Sequence, residues 1–422
     1  MKLETKCIQS GYMPENGQPR TMPIYQSTTY KYDSAAELGK LFDLEAEGHM
    51  YTRISNPTVA YVEEKIADLE GGVGAMLTSS GQAASFMAIF NICCQGQNSI
   101  SLNNIYGGTI NLFSVTLARM GIEVRYARDD MSDEEFEALF DENTRLVFGE
   151  TVANPALTVL DISRYAALAH KHNVPLIVDN TFTTPMLCRP FEHGADIVTH
   201  STTKYMDGHA NVVGGVIVDS GNFDWAAAGK YPELTEADES YHGVVYTEKF
   251  GKAAYITKAR VQLMRDFGCT PQPIMAYLLN LGLESLAVRM VRHSENALTV
   301  AKFLEGNEKV AWVNYPLLES NKYYELAKKY MPNGAPGVVS FGVKGGREAA
   351  MKVMDSLKLA QIVVHVADAR TCVLHPASTT HRQLTDEQLV AGGITPEMVR
   401  FSVGIEDVED IIADLTQALE QI

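Results

Sequence analysis

From about Tyr61 onward, apolar and polar positions alternate between two periods. YVEEKIADLEGG carries apolar residues at helical spacing and predicts a helix ended by Gly71 and Gly72. AMLTSS then predicts a short buried strand, and GQAASFMAIFNICC the helix after it. Further strands are predicted over RLVFGE (145–150), PLIVDNT (175–181) and ADIVTHS (195–201), and a helix with an Ala/Leu face over SRYAALAHKHN (163–173). Strands apolar on both faces, alternating with helices, indicate an α/β fold with a mostly parallel sheet covered by helices. Glu150, Asp179 and Ser201 stand just past strand ends, on the edge of such a sheet where ligands bind.

Beyond Val213 the pattern loosens. Residues 221–243 read as a polar loop, and a long helical stretch follows over FGKAAYITKARVQLMRDFG. GVVSFGVKG, TCVLHPAS and MVRFSVG predict strands, and VEDIIADLTQALEQI a terminal helix, so a smaller C-terminal α+β domain is expected. Residues 1–60 are irregular and rich in Gly, Pro, Tyr and Thr, like an arm lying on something else. The expected division is an arm at 1–60, a large domain at 61–255 and a C-terminal domain at 256–422.

The 422 residues, 46% of them hydrophobic, can bury a large core without disulfides or metal staples. With 35 Lys and Arg against 52 Asp and Glu, the net charge of −17 argues against nucleic acid or an anionic membrane as partner. Any anion must be held by a local device. The stretch from Gly71 to Ala118 lacks Asp, Glu, Lys, Arg and His, but Gly, Ser, Asn and Gln break it up too much for a membrane span. It reads as buried near something polar and uncharged. Lys2, Glu4 and Lys6 leave no apolar core for a secretory signal. The six cysteines form no CxxC pair, which fits reduced thiols in a cytoplasmic protein and no metal site.

Taken alone, Asp179 reads as a cap or turn residue, Lys204 as a surface lysine, and the turn at Ser80-Gly81-Gln82 as a connector. Together they read differently. Asp179 ends one strand, Lys204 follows the next with Ser201 and Thr203 beside it, and the glycine turn opens a helix near the same edge. A carboxylate can pair with a protonated ring nitrogen, an amine can form a Schiff base with an aldehyde, and helix N–H groups with two hydroxyls can hold a phosphate. That is the equipment of pyridoxal phosphate. A nicotinamide-binding reading lacks GxGxxG after the first strand.

At these residues the chain resembles the Cys/Met-metabolism family of fold-type I pyridoxal phosphate enzymes. The resemblance covers nearly the whole length through YTRISNPT (51–58), SSGQAA (79–84), IYGGTINLF (105–113), VDNTF (178–182), HSTTKY (200–205), HPASTTH (375–381) and RFSVGIE (400–406). It implies that Lys204 is the Schiff-base lysine and Asp179 the ring-nitrogen partner. Ser80, Gly81 and Gln82 with Ser201 and Thr203 would hold the phosphate, Tyr106 would stack on the ring and shuttle a proton, and Asn154 would touch the phenolic oxygen. Arg400 would clamp the substrate carboxylate with Ser340 nearby. Tyr51 and Arg53 would reach the neighbouring subunit's phosphate. The implied reaction is γ-replacement, turning O-acetyl-L-homoserine and sulfide or methanethiol into homocysteine or methionine and acetate. The implied assembly is a tetramer built from active dimers.

A γ-lyase or a cystathionine γ-synthase-type activity on the same scaffold is the alternative; lyases of the family place Cys where this chain has Gly108. A non-catalytic binding protein on the same fold is the rival of another class. The segment His365-Val366-Ala367-Asp368 departs from the family pattern, which has Gly at 367 and no titratable group at 365. His170 and His172 read as solvated, and His375 and His381 as a structural and substrate-lining segment. Trp225 and residues 221–241 read either as the entrance or as a surface loop.

Overall fold

The computed structural model describes residues 1–380, 382, 389 and 393–422. Its first sheet contains β1 (Gly74–Thr78), β2 (Asn98–Leu102), β3 (Glu123–Ala127), β4 (Thr144–Glu150), β5 (Leu176–Asp179), β6 (Ile197–His200) and β7 (Gly215–Asp219). The spatial order is β1-β7-β6-β5-β4-β2-β3. Strands β2 to β6 pair in parallel, and β7 alone runs antiparallel to its neighbours β1 and β6. Val147, Ile177, Val178, Ile197, Val198 and Ile217 are fully buried, as expected of a sheet covered on both faces. Each such side chain contributes about 1.5–3 kcal/mol on burial.

Helix Pro57–Glu70 shows why the chain folds this way locally. Asn56 accepts the Thr58 N–H, Pro57 takes the first turn, and Gly71 ends the helix at φ 82°. Its apolar face, with Val59, Val62, Ile66 and Leu69 buried, belongs to the same core as β1. The second sheet contains β8 (Val310–Asn314), β9 (Val338–Val343), β10 (Gln361–Ile362), β11 (Cys372–Leu374) and β12 (Met398–Ser402), in the order β10-β11-β12-β9-β8. Strand β12 pairs antiparallel with β9 and sets Arg400 opposite Ser340.

Two expectations are corrected and one is refined. The irregular arm begins with a helix, Leu3–Gln9, docked on helix Pro57–Glu70: Cys7 is fully buried, Lys6 pairs with Asp68 at 2.6 Å, and Lys65 Nζ donates to the Cys7 carbonyl at 2.9 Å. Seven residues are too few for periodicity to register. The helical stretch expected from about Gly251 is present but is not α-helical throughout: it opens with a 3-10 turn over Gly251–Ala253 and carries a π-helical segment over Ala259–Met264. Trp225 is core, not entrance: it is 3% exposed and stacks on Tyr255 at 5.2 Å. No single helix among the described residues is long and apolar enough to cross a membrane.

Candidate active site

Because six of the seven strands point the same way, the ends of β1, β4, β5 and β6 converge on one edge. A cavity of about 240 Å³ opens there. Eleven of the residues singled out in the sequence line it: Ser80, Gly81, Gln82, Tyr106, Glu150, Asn154, Asp179, Ser201, Thr203, Lys204 and Arg400. Apolar walls come from Val152, Phe182, Val213, Val364 and Val366, of which only Phe182 and Val366 fall in segments quoted from the sequence. Ser340 lies outside the cavity lining, fully buried beside Arg400, with its hydroxyl donated to the Pro155 carbonyl at 2.7 Å. Tyr51 and Arg53 are not brought to this cavity by their own chain. Both are exposed, with the Arg53 guanidinium 5.4 Å from the Tyr51 ring centroid and a hydrogen bond from Arg53 to the Arg265 carbonyl.

The cavity's end at Ser80–Gln82 is built from main chain. Ser80 caps helix Gly81–Phe90 by accepting the Ala83 N–H, which leaves the Gly81 and Gln82 N–H groups without a partner among the described residues. A Cβ on Gly81 would lie 2.6 Å from Ser201 Cβ, so only glycine lets the turn and Ser201 approach this closely. The Thr203 hydroxyl is engaged by Gly214, donating to its carbonyl at 3.2 Å and accepting its N–H at 3.0 Å.

Lys204 Nζ makes no hydrogen bond or ion pair among the described residues. Burial, then the charge of Arg400, lowers its amine to about 8. Asp179 Oδ1 accepts the Thr181 N–H at 2.9 Å and the Thr181 hydroxyl; burial raises its carboxyl and the Thr181 donors oppose the rise. Behind it, His200 Nε2 and Glu70 Oε1 meet at 2.6 Å, both fully buried. Glu150, opposite Asp179 in the β4–β5 register, accepts the Tyr106 N–H at 2.7 Å. Burial and the charge of Asp179 push the Glu150 carboxyl well above the usual carboxylate range.

Arg400 is 5% exposed and among the described residues meets no carboxylate: its partners there are Asn154 Oδ1 at 3.4 Å and the carbonyls of Val364 and His365 at 3.2 and 3.0 Å, and its Nε has none. Burial lowers it to about 10. A buried guanidinium without an acid is a place prepared for an incoming carboxylate. His365 Nε2 is buried without a partner, and burial with the nearby Lys204 charge lowers the ring to about 4. Ala367 sits at φ 66°, the left-handed backbone that glycine would adopt more easily.

The histidines set aside in the sequence are placed as follows. His170 is not simply solvated: its Nε2 meets the buried Asp196 at 2.7 Å. His172 stacks on Phe140 at 4.1 Å. His375 is buried, donating from Nε2 to the Pro396 carbonyl at 2.8 Å and accepting the Ser378 hydroxyl on Nδ1. His381 lies outside the described residues.

A parallel sheet edge that offers a lysine amine and a half-buried acid in one cavity defines a pyridoxal phosphate enzyme of fold type I. More particularly, the sequence profile described as Cys/Met metabolism PLP-dependent enzyme matches residues 4–420, and the chain belongs to that family. It is 47% identical to homocysteine synthase of Schizosaccharomyces pombe, covering 99% of this chain and 98% of the relative. It is 43% identical to O-acetyl-L-homoserine sulfhydrylase of Leptospira meyeri, covering 100% and 97%. A Campylobacter jejuni crystal structure described as an O-acetylhomoserine (thiol)-lyase, in which a lysine carries the pyridoxyl phosphate group, superposes with a TM-score of 0.96 at 37% identity over 100% of both chains. The cofactor is pyridoxal 5'-phosphate, and the cavity fits it: a cradle that a Cβ on Gly81 would fill, unpaired N–H groups beside it and an unpaired lysine amine.

Proposed function

We propose that this protein performs γ-replacement on O-acetyl-L-homoserine, exchanging acetate for sulfide or methanethiol and releasing homocysteine or methionine. The observation that carries the reading is the buried Arg400, which meets no carboxylate among the described residues, in the cavity that holds Lys204 and Asp179. Its guanidinium anchors the substrate carboxylate, so the amine of the same substrate meets the end of Lys204. Bound pyridoxal phosphate supplies an aldehyde that captures the amine and a ring that takes up electron density from the substrate.

The chain's own residues then have these tasks. Asp179 holds a proton on the ring nitrogen. The N–H groups of Gly81 and Gln82, with Ser80, Ser201 and Thr203, hold the phosphate. Asn154 touches the phenolic oxygen, and Ser340 supports Arg400 from the neighbouring strand. Lys204 Nζ, lowered to about 8, removes the Cα proton near neutral pH, and Tyr106 works with it in moving protons at Cβ and Cγ. At Cγ the C–O bond breaks, acetate leaves with the electron pair, and a C–S bond forms.

Lys204 and Arg400 are the only cationic side chains among the described residues lining the cavity. A dianionic phosphate calls for another, and Tyr51 and Arg53 from a second copy's arm supply the contact. The arm (1–60), the cofactor-binding part (61–255) and the C-terminal part (256–422) divide the work, in a cytoplasmic tetramer built from active dimers. The six free cysteines suit a reducing compartment.

Gly108 favours replacement over elimination. A Cβ there would lie 2.4 Å from the Tyr106 ring and 2.9 Å from Gln82 Nε2, so a larger residue displaces the tyrosine. The test is a product assay with O-acetylhomoserine, with and without sulfide. Homocysteine should form faster than 2-oxobutyrate. Keto acid dominating in excess sulfide would establish the lyase instead, and cystathionine formed preferentially from cysteine would establish the synthase-type activity.

A further inference from the structure

We propose that Glu150 is a positioning residue of the cofactor site: as a neutral acid it fixes the main chain of Tyr106 and leaves Asp179 as the only negative charge at this strand edge. The inference rests on the reading of Asp179 as the acid that faces the cofactor ring.

Three observations lead to it. First, Glu150 and Asp179 end adjacent parallel strands in direct register, and both line the cavity. Glu150 is buried, and its burial and the neighbouring Asp179 carboxylate both oppose its ionisation. Second, the donors are divided unequally in kind. Asp179 receives a hydroxyl and a main-chain N–H from Thr181, the next-but-one residue on its own chain segment. Glu150 receives a main-chain N–H from another segment, that of Tyr106 at 2.7 Å. A neutral carboxyl still accepts it through its carbonyl oxygen. Third, Tyr106 is itself a cavity residue on a segment separate from β4, and Glu150 ties its main chain to the strand edge.

Tyr106 needs such an anchor. It is 46% exposed, its side chain makes no hydrogen bond among the described residues, and it begins the short helix Gly107–Asn111 without a side-chain cap. The charged and titratable groups around the carboxyl pair are His200 behind Asp179, and Lys204, Arg400 and the Tyr106 phenol in the cavity. The two cations balance a single carboxylate together with a substrate carboxylate, and a second anion at the strand edge would compete for them.

The test uses the full chain with Glu150→Gln and Glu150→Ala. At neutral pH the infrared band of a protonated carboxyl should be present in the unsubstituted protein and lost in Glu150→Gln. Glu150→Ala should weaken pyridoxal phosphate binding by about tenfold, the cost of leaving a buried N–H unpaired. It should lower kcat while KM for O-acetylhomoserine stays within about threefold. Glu150→Gln should rescue most of the lost cofactor affinity, with the pH midpoint of the bound cofactor's absorption within about 0.3 units of the original, because no charge is removed. A midpoint shifted by about a unit or more in Glu150→Gln, a missing carboxyl band, or unchanged cofactor affinity in Glu150→Ala would each overturn the proposal. Should Glu150→Ala fail to fold, the infrared band and the Glu150→Gln titration decide alone. An unsubstituted protein that binds no cofactor would overturn the site reading itself, a distinct result.

Discussion

Lys204 and Arg400 act through what they lack. Among the described residues, one is an amine with no hydrogen bond or ion pair, and the other a buried guanidinium that meets no carboxylate. Arg400→Lys keeps a charge but loses the planar fork, so KM for O-acetylhomoserine should rise about 50- to 100-fold with a smaller change in kcat, read from steady-state kinetics. The lowered Lys204 amine gives a pH dependence with a definite sign. Only the neutral amine attacks an aldehyde, so the rate at which apoprotein captures pyridoxal phosphate should climb with pH up to about 8 and level off above it. The same shift touches stability. The folded amine loses its proton near 8 while the unfolded one keeps it to the ordinary 10.5, so the unfolded state binds more protons between those values and apoprotein stability gains from Lys204 as pH rises across that window. Denaturant titrations should show the gap between the unsubstituted protein and Lys204→Met changing there and not below pH 7. Lys204 and Asp179 were legible in the sequence because each follows a strand. Glu150 was visible only as a strand-end acid, since its partner is the Tyr106 main-chain N–H, which carries no sequence signal. The strain expected at residue 367 is borne by the left-handed Ala367, whose N–H is donated to Ser402 Oγ at 2.8 Å.

At the scale of elements, the site is a consequence of strand direction and one close contact. Helix Gly81–Phe90 starts at the end of β1 and points its unpaired N–H groups into the cavity, and Gly81 permits Ser201 to pack against that turn. Gly81→Ala should therefore lower stability by about 1–3 kcal/mol and weaken cofactor binding by more than about tenfold, measured by denaturant unfolding and pyridoxal phosphate titration. The βα alternation of the large part was legible because its strands are apolar on both faces and its helices periodic. Strands β2, β3, β7 and β8 were not separated from their surroundings. β2 is NSISL, polar at alternate positions yet buried throughout, and β3 is largely partly exposed. The π-helical segment Ala259–Met264 escaped notice because the apolar spacing continues across it. Arg260 in that segment reaches Glu63 at 2.7 Å and the Ala75 carbonyl at 2.9 Å, joining it to the first sheet's core.

For the whole molecule, an acidic chain must gather a cofactor phosphate and a carboxylate substrate with very few cations. The C-terminal sheet brings Arg400 to the cavity, and the proposed assembly brings Arg53 of a second copy. Arg53→Ala should weaken cofactor binding and activity, and Lys204→Ala should be inactive. Refolded together, mixed dimers put both defects in one site and leave the other intact, so activity should recover to about a quarter of that of the unsubstituted protein. No recovery despite proven subunit exchange would place Arg53 in its own chain's service. The central claim, that this one sheet-edge cavity holds the cofactor through Lys204, is tested most directly by borohydride reduction of the protein with pyridoxal phosphate, followed by peptide mass spectrometry. The expected result is a single pyridoxyl adduct on Lys204, absent from Lys204→Ala. A principal adduct on any other lysine, or equal labelling of Lys204→Ala, would contradict it.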